Sequence, residues 1–518
     1  MILIHPPVAK PCEPPGGIAR LSGALNAHGI HHTLLDLNLE ALLYTLYNAK
    51  PLSNKQTNKW TSRSFRNIAD NLAALKDQYI YQNIDRYKRA VIDLNHAVEN
   101  ALNDTSITGL VDFRHRELSP LRSTDCIRAA EHPEHNPYYY YFAEKLPNLI
   151  EQDLSKVIGF SLNYLSQAIC TFAMIGFLKH RYPQTTIVLG GGLVTSWMTN
   201  PRWKNPFKGL VDRFISGPGE TALLSMLGID NVRRYITPDY SSLPLGDYLA
   251  PGVILPYSAS RGCYWGECSF CPEKAEGSRY VPIPVDRVRE DLDNLIRTFQ
   301  PALVHFVDSA VSVSVLKSLA QEPLGFPWYG FARFTHHLMD IDFCVSLRRS
   351  GCIMLKLGLE SGDQGVLDKM QKGVDLKTAS RALETLKKAG ISTYIYLLFG
   401  TPTESLCEAR KTLAFVAAHC EAITYLNLAI FNMPLFGAEA AGFETNSFYE
   451  GDLSVYTDFV HPKGWGRKQV RSFLEDEFKK HRAVSGIIKK TPPFFTSNHA
   501  PFFVIDSIKN LDNSHELL

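Results

Sequence analysis

Six short apolar runs separated by helical patterns, all between residues 251 and 431, constrain this chain more than any other feature. The runs are Ile254–Ser260, Leu303–Val307, Trp328–Phe334, Ile353–Leu359, Thr393–Phe399 and Ile423–Ile430. Amphipathic stretches such as Val285–Thr298, Lys377–Ala389 and Glu404–His419 lie between them. Strand–helix alternation of this kind buries a parallel sheet under helices. Six such units predict a partial (β/α)6 barrel, with ligand loops at the carboxyl ends of its strands.

A second, shorter series fills the N-terminal part. Strands are expected at Ile2–Ile4, His32–Leu37, Val157–Ser161, Thr186–Leu189 and Arg213–Ser216, with helices over Ile18–Leu25 and about Ala168–His180. The predicted fold class is α/β, a Rossmann-like parallel-sheet domain followed by the barrel and a C-terminal tail. Far more residues separate Leu37 from Val157 than a βαβ crossover needs. The interval is polar with Leu-based helical patterning, which predicts a helical insertion at about 41–150. Its run Tyr138–Tyr141 is expected to pack on the adjacent domain. The boundaries read as 1–235 for the first domain, 236–250 for a linker carrying Pro238 and Pro244, 251–431 for the barrel and 432–518 for a capping region. Lys468–Lys480 reads as a surface helix and the extreme end as polar.

Lys plus Arg number 54 against 52 Asp plus Glu, so the chain has no whole-molecule signature of nucleic-acid binding. No apolar run reaches the roughly 18–20 residues that cross a bilayer, and MILIHPPVAK lacks a signal peptide's apolar region. A cytoplasmic, reducing location is expected.

Ten cysteines in 518 residues are too dilute for a disulfide framework. Three of them stand together in Arg261-Gly-Cys263-Tyr-Trp-Gly-Glu-Cys268-Ser-Phe-Cys271-Pro272, immediately after the first barrel strand. Soft thiolates at this spacing suit zinc or an iron–sulfur cluster. No Cys or His lies between Cys271 and His305, which argues against a closed local zinc site and for a centre with one open metal position. Cys344, Cys352, Cys407 and Cys420 fall on helix or strand patterns and read as small core residues. Cys12, Cys126 and Cys170 stand alone; Cys12 or a barrel cysteine is a candidate for a second reactive group.

With Cys263, Cys268, Phe270 and Cys271 in this order after a first barrel strand, the chain resembles the radical S-adenosylmethionine (radical SAM) superfamily. The family's C-x3-C-x2-C loop has one residue fewer between its first two cysteines. The resemblance implies a 4Fe–4S cluster on Cys263, Cys268 and Cys271, whose fourth iron is chelated by SAM. It also implies reductive cleavage of SAM to a 5′-deoxyadenosyl radical. Further matches are His305-Phe-Val-Asp308-Ser309 after the second strand and Gly330-Phe-Ala-Arg333 after the third. Leu357-Gly-Leu-Glu360-Ser361-Gly362 follows the fourth, and Gly400-Thr-Pro-Thr-Glu404 the fifth. By resemblance Asp308 and Ser309 recognise the SAM amino group or shape its surroundings. Arg333 would pair with the carboxylate, unless it is a rim salt bridge. Glu360 would accept from the ribose hydroxyls, and Ser361 would sit beside the methionyl portion.

The N-terminal series is similar to the cobalamin-binding-like domain that precedes the barrel in one class of the superfamily. His5-Pro-Pro7, Pro15-Gly-Gly17, Gly190, Gly191, Gly192 and Ser216-Gly-Pro-Gly-Glu220 carry this likeness. Gly190–Gly192 and Glu220 are the candidate cobalamin contacts. The function implied is cobalamin-dependent methyl transfer to an unactivated carbon. The alternative is a non-methylating radical SAM cyclisation, rearrangement or oxidation. The implied partners are a small-molecule, lipid or peptide substrate and an electron donor such as flavodoxin or ferredoxin.

Overall fold

The computed structural model describes residues 1–51, 58–102, 105–153, 156–201, 203–230, 235–446 and 451–504. The polar end at 505–518, and 52–57 and 103–104 of the expected insertion, lie outside the described residues. The chain divides into two compact units. The first is Met1–Val253, Tyr449–Val455 and Pro493–Thr496; the second is Ile254–Phe448, Tyr456–Pro492 and Ser497–Leu518.

The first unit is built on a parallel sheet of β1 (Ile2–His5), β2 (Thr33–Asp36), β3 (Val157–Ser161), β4 (Thr186–Gly190) and β5 (Arg213–Phe214). Their order is β2-β1-β3-β4-β5, and every pairing is parallel. All four residues of β1, Ile2-Leu-Ile-His5, are buried, as expected of a strand with neighbours on both edges and helices on its faces. The connections after β1, β4 and β5 carry glycines, whereas those after β2 and β3 do not. Residues 236–250 pack in this unit, with Asp239 N–H donating to Ala19 O at 2.9 Å.

After β2, Asp36 caps the helix Leu37–Tyr47 through Leu39 N–H. The chain then runs through helices Lys59–Arg66, Ile68–Leu75, Ile84–Ala101, Ser123–Glu131 and Tyr139–Ile150. A two-stranded hairpin, Ser106–Thr108 with Phe113–His115, interrupts these helices, a short-range feature that helical patterning does not signal. Tyr139 and Phe142 meet Phe177 of the helix Leu165–Arg181 edge-on, at 6.1 and 5.7 Å. Tyr141 donates to Glu40, whereas Tyr140 is exposed.

The second unit holds β6 (Ile254–Tyr257), β7 (Leu303–Phe306), β8 (Trp328–Ala332), β9 (Cys352–Glu360), β10 (Ser392–Phe399) and β11 (Tyr425–Ile430). They form one parallel sheet in strict sequence order, and among the described residues β6 and β11 do not pair, so the barrel is open. Helix Val285–Phe299 buries Val288, Leu292 and Leu295, the i, i+4, i+7 stripe of an amphipathic helix. Helix Leu406–Ala418 starts at a Ser405–Glu408 capping box. The segment read as a surface helix at 468–480 is a helix, Arg467–Phe473, followed by a wider turn. It is not confined to the surface: Val470, Phe473, Leu474 and Phe478 are buried. Phe473 and Phe478 pack on Phe399 at 6.0 and 5.3 Å.

The insertion is fastened by one very close approach. A Cβ placed on Gly176 would lie 1.8 Å from the carbonyl oxygen of Ala130, so helix Ser123–Glu131 rests backbone to backbone on helix Leu165–Arg181. Gly176→Ala should destabilise the first unit by about 1–3 kcal/mol through overpacking, read as a lower denaturant midpoint for its transition.

Candidate active site

Strand β6 ends at Tyr257, and the cysteine loop follows. Ser260–Arg261 pairs antiparallel with Val281–Pro282, closing the loop at its base. Gly262 must be glycine: its φ is +68°, and a Cβ would lie 2.7 Å from Arg279 O. Both oxygens of Asp308, beyond β7, hold this base, accepting from Ala259 N–H at 2.9 Å and Ser260 Oγ at 2.6 Å. Burial raises its carboxyl pKa, opposed by these two donors. Ser309 Oγ reaches Glu273 at 2.5 Å.

Within the loop Cys268 is buried, Cys263 and Cys271 are half-buried, and all three thiols are free. Burial pushes the Cys268 thiol up, against the pull of the Lys372 ammonium and of Arg333, which also hydrogen-bonds the sulfur. Cys271 is likewise raised by burial and drawn down by the N–H groups of Lys274 and Glu273.

The loop is tied to residues 370–373, which follow β9. Trp265 Nε1 donates to Gln371 O at 2.9 Å and Ser269 N–H to Met370 O at 3.0 Å. Gly373 lies against the indole, where a Cβ would come within 2.1 Å of the ring. The Arg333 guanidinium, beyond β8, stacks 4.5 Å from the same ring centroid and donates to Lys372 O. Lys372 Nζ pairs with Glu360 Oε1 at 2.7 Å, both side chains nearly buried, and stands 5.6 Å over the Phe270 ring.

Glu360 adopts φ +67° at a bulge that closes β9, a conformation that costs a non-glycine residue of order 1–3 kcal/mol. Gly358 makes the pair possible, because a Cβ there would lie 2.5 Å from Glu360 Oε1 and 2.7 Å from Lys372 Nζ.

The structure therefore brings Cys268, Phe270, Arg333 and Glu360 into one constellation. Ser361 is placed differently. It is fully buried against helix Leu406–Ala418, its Oγ 3.3 Å from Thr412 Oγ1 and accepting from Asp363 N–H. Neither Trp265 nor Lys372 has a role assigned to it by the sequence pattern. Nothing in the spacing of Lys372 shows that the chain doubles back to set it between Glu360 and Cys268.

The other cysteines divide. Cys344 and Cys352 are buried, and burial raises both thiols, Cys344 to about 12. Cys407 is exposed and Cys420 half-exposed, contrary to the core reading. Helix Leu406–Ala418 buries Ala409, Thr412, Leu413 and Val416, and Cys407 lies off that stripe. Cys12 is fully buried.

In the first unit the glycine loops follow β1, β4 and β5. Gly191 has φ +109°, and a Cβ on it would lie 2.4 Å from Leu162 O, which explains that glycine by the turn itself. Gly192 N–H donates to Asn163 Oδ1 at 2.9 Å, and Gly190 ends β4. Gly217 has nothing within 4 Å of a Cβ position. Glu220, 4% exposed, accepts from Arg20. His5, at the end of β1, is buried with Nδ1 lacking a hydrogen-bond partner.

The first strand of an open parallel barrel delivers three free thiols, one of them beside two buried cations, a donor set that suits zinc or an iron–sulfur cluster. Residues 257–416 match the family model of the radical SAM superfamily. The superfamily implies a 4Fe–4S cluster and SAM.

A hopanoid C-3 methylase of Methylococcus capsulatus is 24% identical over 339 residues, 59% of this chain and 64% of that protein. An uncharacterized methyltransferase of Pyrococcus horikoshii is 27% identical over 197 residues, 36% of this chain and 42% of that protein. The chain thus spans less than two thirds of these curated relatives. In fold it is similar to the radical SAM methyltransferase TsrM of Kitasatospora setae, with TM-score 0.52 and 13% identity, over 95% of this chain and 89% of that one. Among the described residues no helix is long and apolar enough to cross a membrane.

A buried carboxyl after β10 gives the second unit a pH dependence. Glu404 accepts from Gly400 N–H at 2.5 Å and Trp465 Nε1 at 2.9 Å, and burial raises its pKa from 4.5 to about 7. The fold therefore retains a proton that the unfolded chain releases near 4.5, so stability falls as pH rises from there to about 7. Glu404→Gln should flatten that slope, measured as denaturant midpoints at pH 5 and pH 7.5.

Proposed function

We propose that this radical SAM enzyme transfers a methyl group to an unactivated carbon with cobalamin as the methyl carrier. The observation that carries the reading is the constellation at the mouth of the second unit: three free thiols, the Lys372–Glu360 pair and Arg333 on one rigid knot. The curated relatives named as a methylase and a methyltransferase support the choice of reaction.

In this reading Cys263, Cys268 and Cys271 hold the 4Fe–4S cluster. The soft, partly buried thiols and their neighbouring cations fit it, since cations offset the charge of three thiolates. Arg333, with five N–H donors in a rigid fork, takes the methionyl carboxylate. Glu360 takes the ribose hydroxyls; a carboxylate has about four acceptor positions, so the Lys372 bond leaves capacity for them. Asp308 and Ser309 act by fixing the base and flank of the cysteine loop, and Ser361 by docking the β9 turn on its helix. The partnerless buried Nδ1 of His5, at the end of β1, fits a polar ligand at the strand ends of the first unit. Gly190–Gly192 and Glu220 would border that ligand, which is proposed to be cobalamin. Bound together, the cluster with SAM supplies an organic radical and cobalamin supplies the methyl group. The chain's own residues orient both cofactors and exclude water.

Anaerobic reconstitution with iron, sulfide and hydroxocobalamin should give a chain that retains both groups through gel filtration. Replacing Cys263, Cys268 and Cys271 together by Ala should remove the iron–sulfur absorption and leave the cobalamin spectrum in place. A chain that retains no cobalamin yet cleaves SAM and turns over substrate would overturn methyl transfer and favour cyclisation or rearrangement.

Glu360→Ala removes a charge-assisted acceptor worth about 1.5–3 kcal/mol. SAM should bind about ten- to a hundredfold more weakly, as measured by calorimetry. Unchanged affinity would reassign Glu360 to holding Lys372 alone.

A further inference from the structure

The helical insertion carries a second group of metal-ligand side chains, far in sequence from the cysteine loop. Helix Ser123–Glu131 ends at His132, whose backbone N–H caps it onto Arg128 O, and Pro133–His135 continues as one 3-10 turn. A 3-10 turn eclipses residues three apart, which sets His132 and His135 side by side. Their rings stack with centroids 5.3 Å apart and planes within 19°. Glu134 reaches both, its Oε1 3.5 Å from His132 Nδ1 and 3.8 Å from His135 Nε2. One ligand atom from each of the three lies within 4.8 Å of the others; among the described residues no other group of three His, Cys, Asp or Glu does so.

The three side chains are exposed, but the backbone that carries them is fixed by its surroundings. Pro133 restricts the turn, and His135 N–H and Asn136 N–H return to His132 O and Pro133 O, both at 3.1 Å. The helix behind it is held by the Ala130–Gly176 approach. His132 and His135 also line a cleft of about 480 Å³ whose facing residues include His115, Glu117 and Arg128. His115 Nδ1 accepts from Glu117 and Leu118 N–H at 3.1 and 3.0 Å, so Nε2 carries its proton and His115 serves as a donor rather than a ligand. Arg128 is engaged by Glu117 at 3.6 Å. The carbonyl end of the helix favours a cation at His132.

We propose that His132, Glu134 and His135 bind one zinc-class divalent ion, with a remaining coordination position for water. Two imidazoles and one carboxylate are a donor set that zinc accepts. Tetrahedral ligands at about 2.0–2.1 Å stand roughly 3.3 Å apart, so these exposed side chains need to close by less than about 1.5 Å.

The test uses tag-free, cluster-loaded full-length protein, so that the thiols are occupied, with Zn²⁺ added in equilibrium dialysis and iron counted alongside. The expected result is one zinc per chain at unchanged iron. His132→Ala with His135→Ala should weaken binding at least about tenfold without changing the iron content or the thermal midpoint. Co²⁺ should give visible d–d bands without thiolate charge-transfer absorption. Failure of the wild type to retain zinc, or equal retention by the double variant, would overturn the site.

Discussion

An ammonium and a carboxylate 2.7 Å apart in a nearly buried setting organise the mouth of the second unit. Removing one partner from such a pair leaves a buried charge uncompensated, which is strongly destabilising. Much of the surrounding geometry accommodates this contact. Gly358 gives up its side chain to it, Glu360 takes a left-handed backbone for it, and the turn carrying Lys372 is pinned by Trp265 and Arg333. Cys268 then inherits two cationic neighbours without a dedicated residue of its own.

Much of the second unit was legible because its signals are local. Each barrel strand is an apolar run bounded by turn residues, and the observed limits differ from the expected ones by a few residues at most. The cysteine loop was legible because three soft ligands within nine residues have few structural explanations. Its extra residue lies in a segment where Gly266 turns at φ +66° and Trp265 packs outward onto Gly373. The non-local parts were hidden. Lys372 gains its position only when the turn after β9 folds onto a loop about a hundred residues earlier. Asp308 and Ser361 look like ligand residues in sequence, yet their oxygens serve the loop base and the helix Leu406–Ala418. Cys407 read as core because a helical pattern says which residues repeat, not which face the sheet covers.

The first unit repeats this lesson in glycines. A run such as Gly190–Gly192 suggests a ligand cradle, but Gly191 is required by its positive φ and by Leu162 O. Gly217 is explained by its own turn at φ +68°, whereas His5 keeps a buried nitrogen without a hydrogen-bond partner. Neither stands out by composition. Buried polar atoms normally find partners, so the lone Nδ1 is the more informative of the two.

The sheet order of the first unit also governs the timing of its assembly. β1 has β2 on one edge and β3 on the other, yet β3 starts at residue 157, beyond the whole insertion. Thermodynamically the detour is mild, since each doubling of a loop adds only about 0.6 kcal/mol of closure entropy. Kinetically it is not. At roughly 5–20 residues per second on the ribosome, β1 waits on the order of ten to thirty seconds with one edge unpaired. During that interval β2, the helix Leu37–Tyr47 and the early helices of the insertion are the local partners available to shield Ile2, Leu3 and Ile4 from other nascent chains.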